Sequence, residues 1–201
     1  SMKDLFSIGK FSLKAKSVLD SKHSVDKDKY ILQLEQLIQE VLVMNEISGN
    51  EQNSEKVENY KEMYQLLKLM CDNVPDMIWA KNLNNEYIFT NKAISEGLLL
   101  ALDTNEPIGK TDMYFAQRER LRQPENTDWH TFGEICRDTD TIVLQKKTPQ
   151  RFNEYGNIKG KLLYLDVIKA PFYDNEGNII GTVGSGRDIT HEHLLQIEHD
   201  R

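Results

Sequence analysis

The stretch from Lys169 to Thr190 restricts the fold more than any other part of this chain. An apolar run leads into Pro171, the cluster Asp174-Asn175-Glu176-Gly177-Asn178 follows, and a second apolar run opens at Ile179. Two strand-like runs joined by about five turn residues that include glycine read as a β-hairpin. The second run closes on Arg187-Asp188-Ile189-Thr190 and gives way to a polar, amphipathic segment, for which Thr190 is a good N-cap type. The hairpin therefore hands the chain directly to a helix, so that a change in a sheet can be passed to whatever lies downstream.

Upstream, apolar residues recur at helical spacing from Tyr30 to Ile47, at Ile31, Leu34, Leu37, Ile38, Val41 and Leu42. The tract from Ser48 to Ser54 breaks that pattern, and a second helical stripe runs from Glu55 to Cys71 through Val57, Tyr60, Met63, Tyr64, Leu67 and Met70. This pair is either a helical dimer interface or a cap on the domain that follows. Pro75 stops the second helix, because a residue before proline avoids the helical region. Strands are expected over 76–81 and 86–90 around the turn Asn82-Leu83-Asn84-Asn85, with Asn91 capping a short helix through about Leu100. The region from Asp103 to Pro124 reads as irregular. A helix capped by Thr127 or Asp128 and carrying Trp129, Phe132 and Ile135 is expected next, then a helix over 138–147. Strands over 150–155, 161–172 and 178–187 complete an α+β order rather than an alternating βαβ one.

Composition narrows the function. The 201 residues carry a net charge of −7, which argues against a nucleic-acid binder. Residues 1–29 hold seven Lys against four Asp and read as a basic, solvated tail. Cys71 and Cys136 form no Cys-x-x-Cys and read as buried free thiols, without a metal site or a disulfide framework. The longest apolar stretch, Leu98 to Leu102, is far below the roughly 18 residues a membrane helix needs. With no signal-peptide pattern, and with Ser1 read as a cloning remnant before a native Met2, a cytoplasmic location is expected.

Four pieces in order resemble a PAS domain, the sensory fold of bacterial signalling proteins such as sensor histidine kinases and diguanylate cyclases. They are Val74-Pro75-Asp76-Met77-Ile78-Trp79, Tyr87-Ile88-Phe89-Thr90-Asn91-Lys92-Ala93, Pro107-Ile108-Gly109-Lys110-Thr111-Asp112, and the hairpin with its Arg-Asp-Ile-Thr ending. The resemblance covers roughly 73–190. It implies a five-stranded antiparallel sheet of order 2-1-5-4-3 with helices on one face and a cavity between them, preceded here by the helical segment 30–72. It also implies that 191–201 begins a signalling helix leading to a covalently linked effector, a kinase or cyclase. Flanking helices of this kind imply a homodimer.

Strand alternation sorts the candidate lining groups. If Val183 faces the cavity, so do Gly181, Ser185 and Arg187. Matching the long strand to the family adds Leu163, Leu165, Val167 and Lys169. Trp79 or Ile78, Phe89, Phe115, Trp129 and Val143 are further candidates, set against the plain alternative that these apolar residues are ordinary core. His130 falls where haem-binding relatives place an iron ligand, although no haem motif surrounds it. Covalent flavin photochemistry lacks its cysteine motif, and no cofactor is named by these residues. Asp188 and Thr190 are expected at the coupling point between sheet and exit helix. His191-Glu192-His193 has the wrong spacing for a shared metal. No convergent acid, base and nucleophile set points to an enzyme. The expected function is a sensory module that binds a small molecule and relays it through the exit helix. The alternative is a module without ligand that serves dimerisation and docking.

Overall fold

A computed structural model describes the backbone of residues 2–48 and 54–201 and the side chains of 9–45 and 55–201. The chain divides into two compact units, Ser1–Val74 with Asp174–Glu176, and Pro75–Tyr173 with Gly177–Arg201.

In the first unit, helices α1 (Met2–Asp20), α2 (Lys27–Ser48) and α3 (Ser54–Asp72) pack against one another. Asp26 caps α2, its Oδ1 accepting from Lys29 N at 2.8 Å, and the stripe from Ile31 to Leu42 is buried as its spacing predicts. In α3, Met63, Leu67, Met70 and Cys71 are buried, whereas Val57 is exposed. The side chain of Ile47 and the predicted break over 49–53 lie outside the described residues. Among the described residues, 9–29 are not a solvated tail. Phe11, Ala15 and Val18 recur at i, i+4 and i+7 and are buried in α1. Charge counting overlooked that short stripe because it weighed the lysines and not the spacing of the apolar residues among them.

The second unit is built on strands β1 (Met77–Asn82), β2 (Tyr87–Thr90), β3 (Gln150–Ile158), β4 (Lys161–Tyr173) and β5 (Ile179–Asp188). They form one antiparallel sheet of order β2-β1-β5-β4-β3, the order implied by the resemblance. Helices α4 (Lys92–Gly97), α5 (Asp112–Arg122) and α6 (Glu134–Lys146) follow β2, and α7 (Thr190–His199) follows β5. The region between β2 and β3 departs from expectation in two places. α5 forms in the segment read as irregular, because Thr111 Oγ1 accepts from Tyr114 N at 3.2 Å and so caps it. The predicted helix from Thr127 is absent, because Asn126 Oδ1 takes Asp128 N in a turn at 3.0 Å and Gly133 sits at φ +110°. One helix, α6, therefore forms from Glu134 in place of the two expected, taking in Ile135 and starting ahead of the expected position 138.

Asn91 locks the first strand pair to α4. Its Oδ1 accepts from Ile78 N at 3.0 Å and from Ile94 N at 3.3 Å, and its Nδ2 donates to Asp76 O at 2.8 Å. The side chain is fully buried, so no water replaces these bonds. Asn91→Ala is expected to lower the unfolding free energy by about 2–3 kcal/mol in urea titrations of the full chain. A loss below half of the lower figure would show that the lock is dispensable.

Candidate functional site

Strand register decides which side chains meet the helices. β1 sends Met77, Trp79 and Lys81 to the helix side, and β4 sends Leu163, Leu165, Val167 and Lys169. β5 runs between β1 and β4. Across it Thr182 pairs with Lys81, Gly184 with Trp79 and Gly186 with Met77, so β5 turns Thr182, Gly184 and Gly186 to that same side. A Cβ at Gly184 would stand 2.6 Å from the Trp79 ring. The central strand is thus nearly bare where its neighbours are bulky, and groups from β1 and β4 can converge above it.

What converges there is charged. Lys81 and Lys169 are each 1% exposed. Lys81 Nζ donates to Asp112 Oδ2 of α5 and to Asp140 Oδ2 of α6, both at 2.6 Å. Lys169 Nζ lies 2.8 Å from Asp140 Oδ1 in a charge contact set off the hydrogen-bonding direction, and 3.1 Å from Glu154 Oε2 of β3. It also donates to Thr139 Oγ1 at 2.7 Å and to Cys136 O at 3.2 Å. Thr139 Oγ1 donates to Glu154 Oε2 at 3.0 Å, and Tyr87 Oη donates to Asp112 Oδ1. The Lys169 ammonium stands 5.9 Å from the Trp79 ring centre.

Burial alone would lower the Lys81 pKa, but Asp112 and Asp140 outweigh it and leave the ammonium raised. Lys169 is raised in the same way, with Asp140 and Glu154 outweighing burial. For Asp140 burial works upward, and the two lysines overcome it and hold the carboxyl below its ordinary range. The Cys136 thiol is pushed up by burial and then by Asp112. The two ammonium groups and the Asp140 carboxylate between them therefore stay charged at neutral pH. Two polar atoms on the same face have no partner, Trp79 Nε1 and Thr182 Oγ1. Among the described residues, no group of three or more His, Cys, Asp or Glu side chains is placed to hold a metal ion. None of the described helices is long and apolar enough to cross a membrane.

The expected lining residues divide. Trp79, Phe115, Leu165 and Val167 are brought together in the helix-side core. Val183 and Ser185 are not, because β5 is out of phase with the expectation by one residue. Val183 pairs with Ala80, and Ser185 with Ile78, on the opposite face. Phe89 stands there too, opposite Ala80. Arg187 on that face pairs with Asp76 at 2.9 Å. Trp129 donates from Nε1 to Glu119 Oε1 at 3.1 Å, and His130 lies in the irregular segment before α6 instead of on a covering helix. Lys81, Asp112, Asp140 and Glu154 were missed. Their signal was a charged residue at an inward position of an alternating strand or a helical stripe, as in Met77-x-Trp79-x-Lys81 and Cys136-x-x-x-Asp140.

The exit differs in detail from the simple cap. Thr190 is the first residue of α7, and the N-cap position, Ile189, makes no side-chain bond. The Thr190 hydroxyl instead donates to Asp188 Oδ1 at 2.5 Å and accepts from Tyr164 N at 2.9 Å, while Ile189 N donates to Tyr164 O at 2.9 Å. The Tyr164 ring stacks on His193 at 3.8 Å and on Tyr155 at 5.3 Å. One residue of β4 therefore holds the start of α7 by backbone and ring together.

A family model described as the PAS fold matches residues 71–194, more than half of the chain. No curated protein matches the chain. Among solved structures, VqmA bound to DPO is 21% identical, over 64% of this chain and 57% of that one, with a TM-score of 0.48. A Vibrio cholerae VqmA dimer is 21% identical over 66% and 52%, with a TM-score of 0.49. The PAS domain of Bordetella pertussis BvgS is 17% identical over 68% and 95%, with a TM-score of 0.42. The chain spans just over half the length of these VqmA chains.

Asp140→Asn would leave Lys81 and Lys169 under-compensated in a dry core and is expected to cost about 3–5 kcal/mol of stability at pH 7. The sign of the pH dependence follows from the depressed Asp140 carboxyl. Its contribution is complete above the ordinary value of 3.8 and is lost as pH falls through the lower folded value. The gap between wild type and variant should close in acid; a gap independent of pH from 7 down to 2 would exclude an ionised Asp140.

Proposed function

Because this chain belongs to the PAS family, we propose that its second unit is a sensory module that receives a small polar molecule at the Lys81–Asp140–Lys169 cluster and passes its occupancy to α7. The observation that carries the reading is the cluster itself. Five charged groups under the helices are a poor way to gain stability, since well-packed apolar groups of similar volume do as well or better. Such groups are useful where a molecule must be recognised by charge and hydrogen bonding. Trp79 Nε1 is an unused donor, Thr182 Oγ1 has unused capacity of both kinds, and the Lys169–Asp140 contact is poorly directed. The matching ligand carries both donors and acceptors and is small enough to exchange with ammonium–carboxylate contacts.

The relay runs along β4. Lys169, Val167 and Leu165 face the cluster and the helix-side core, and Tyr164 beside them holds Ile189, Thr190 and His193. A ligand can bias α7 only by its difference in affinity for two arrangements of this path. The output is then an effector domain, a histidine kinase or a cyclase, covalently linked beyond α7 in a cytoplasmic homodimer joined through α1–α3 and α7. The second reading, a docking module without ligand, is favoured by one observation: the two lysines and three carboxylates already pair with each other.

Nondenaturing mass spectrometry of the purified chain, with thermal melts against small amides, amino acids and heterocycles, separates the two. A ligand at a hundred times its Kd adds about 2.7 kcal/mol of stability. The expected result is a compound that raises Tm in the wild type and fails to do so in Lys169→Met. No bound mass and no shift with any compound would leave the docking module as the reading.

A further inference from the structure

A second polar site lies between the end of α5 and the start of α6, and it is independent of the reading above. A cleft of about 390 Å3 opens there, lined by Arg120, His130, Glu134 and the polar side chains Gln123, Asn126 and Thr131, among others. Arg120 is held from behind. Its Nε donates to His130 O at 3.0 Å and its Nη2 to Phe132 O at 2.7 Å. Its outer edge presents Nη1 and Nη2 to the two oxygens of Glu134, both at 2.7 Å. This is the fork with which arginine recognises a carboxylate.

The present occupant of that fork is the chain's own Glu134, whose carboxyl pKa the Arg120 guanidinium pulls down to about 2. The Arg120 and Glu134 side chains are nevertheless 36% and 43% exposed, so a carboxylate from outside can reach the fork and compete for it. Two further features favour an anion from outside. Glu134 is the first residue of α6, and Gly133 before it supplies no side-chain cap, so the positive start of the helix adds to the attraction for a carboxylate at the position Glu134 now holds. His130 also lines the cleft, only 4% exposed, with an Nδ1 that has no partner. Burial and the neighbouring Arg120 hold its pKa below the ordinary value, so at neutral pH it is an uncharged imidazole with an unused ring nitrogen.

We propose that this cleft is a carboxylate-binding site, in which the carboxylate of a small molecule replaces Glu134 on the outer edge of Arg120 and meets His130 and the start of α6. The amides of Gln123 and Asn126, the hydroxyls of Thr127 and Thr131, and Pro124 line the rest, with no Phe, Tyr or Trp, so the molecule's body is small and polar.

Succinate is a suitable probe, with succinamide as its uncharged counterpart, each titrated at constant ionic strength into the full 15N-labelled chain. The Arg120 Nε–H and the Glu134 N–H resonances are expected to move saturably with succinate and not with succinamide. Glu134→Gln removes the competing carboxylate while leaving the contacts of Arg120 to His130 O and Phe132 O in place. It should tighten succinate binding by up to about fivefold. Arg120→Gln should abolish the response. Three results would each overturn the proposal: no saturable shift in either wild type or Glu134→Gln, an equal response to succinamide, or weaker binding in Glu134→Gln.

Discussion

Asp140, fully buried on α6, holds Lys81 of β1 with one oxygen and Lys169 of β4 with the other, so a single carboxylate ties the covering helix to two strands that are not neighbours in the sheet. The arrangement depends on β5, which runs between them and turns glycine upward at 184 and 186. A side chain at Gly184 would take the space of the Trp79 ring and keep the two lysines apart. Asp112, Glu154, Thr139 and Tyr87 complete a network to which β1, β2, β3, β4, α5 and α6 each contribute a group.

This network explains why the helix-side core is only partly apolar. α5 buries Asp112 and Glu119 beside Phe115 and Ala116, and α6 buries Thr139 and Asp140 beside Cys136 and Val143. Ions in such a place hold one another in fixed positions because the low dielectric makes an unpaired charge costly. A molecule entering the face would have to exchange contacts with them, and any shift would be felt along β4. The same strand ends its inward series beside Tyr164, whose backbone and ring hold the first turn of α7. The distance from the buried charges to the exit is therefore spanned by one element.

The two pieces of the fold that local chemistry governs were legible from residues. Asn91 caps α4 as expected, and the turn Asp174–Asn178 joins β4 and β5 with Gly177 at φ +84°. The stripe of α2 repeats every three to four residues and is buried accordingly, as is the C-terminal half of the α3 stripe, at Met63, Leu67 and Met70. Where two local signals competed, reading failed. Thr127 and Asp128 are good cap types, yet Asn126 captured the backbone first, and Gly133 moved the start of α6 forward. In β5, alternation gave the period but not the phase, because Gly181, Gly184 and Gly186 carry no side chain to mark which face is inward. Val183 looked like a lining group and faces the other way.

Residue order by itself determined the succession of the five strands, the PAS resemblance carried by four short motifs, and the departure of the chain from β5 into a helix. These rest on turn chemistry, capping and periodicity, all settled within a few residues. Only the tertiary structure decided that Lys81, Asp112, Asp140, Glu154 and Lys169 form one cluster, since they come from five elements up to 88 positions apart and an inward charge does not name its partner. It likewise decided that the Thr190 hydroxyl serves Asp188 and Tyr164 instead of capping α7. A long-range ion pair or hydrogen bond depends on which strands become neighbours and on their phase, and neither is encoded in the local spacing of the residues that make it.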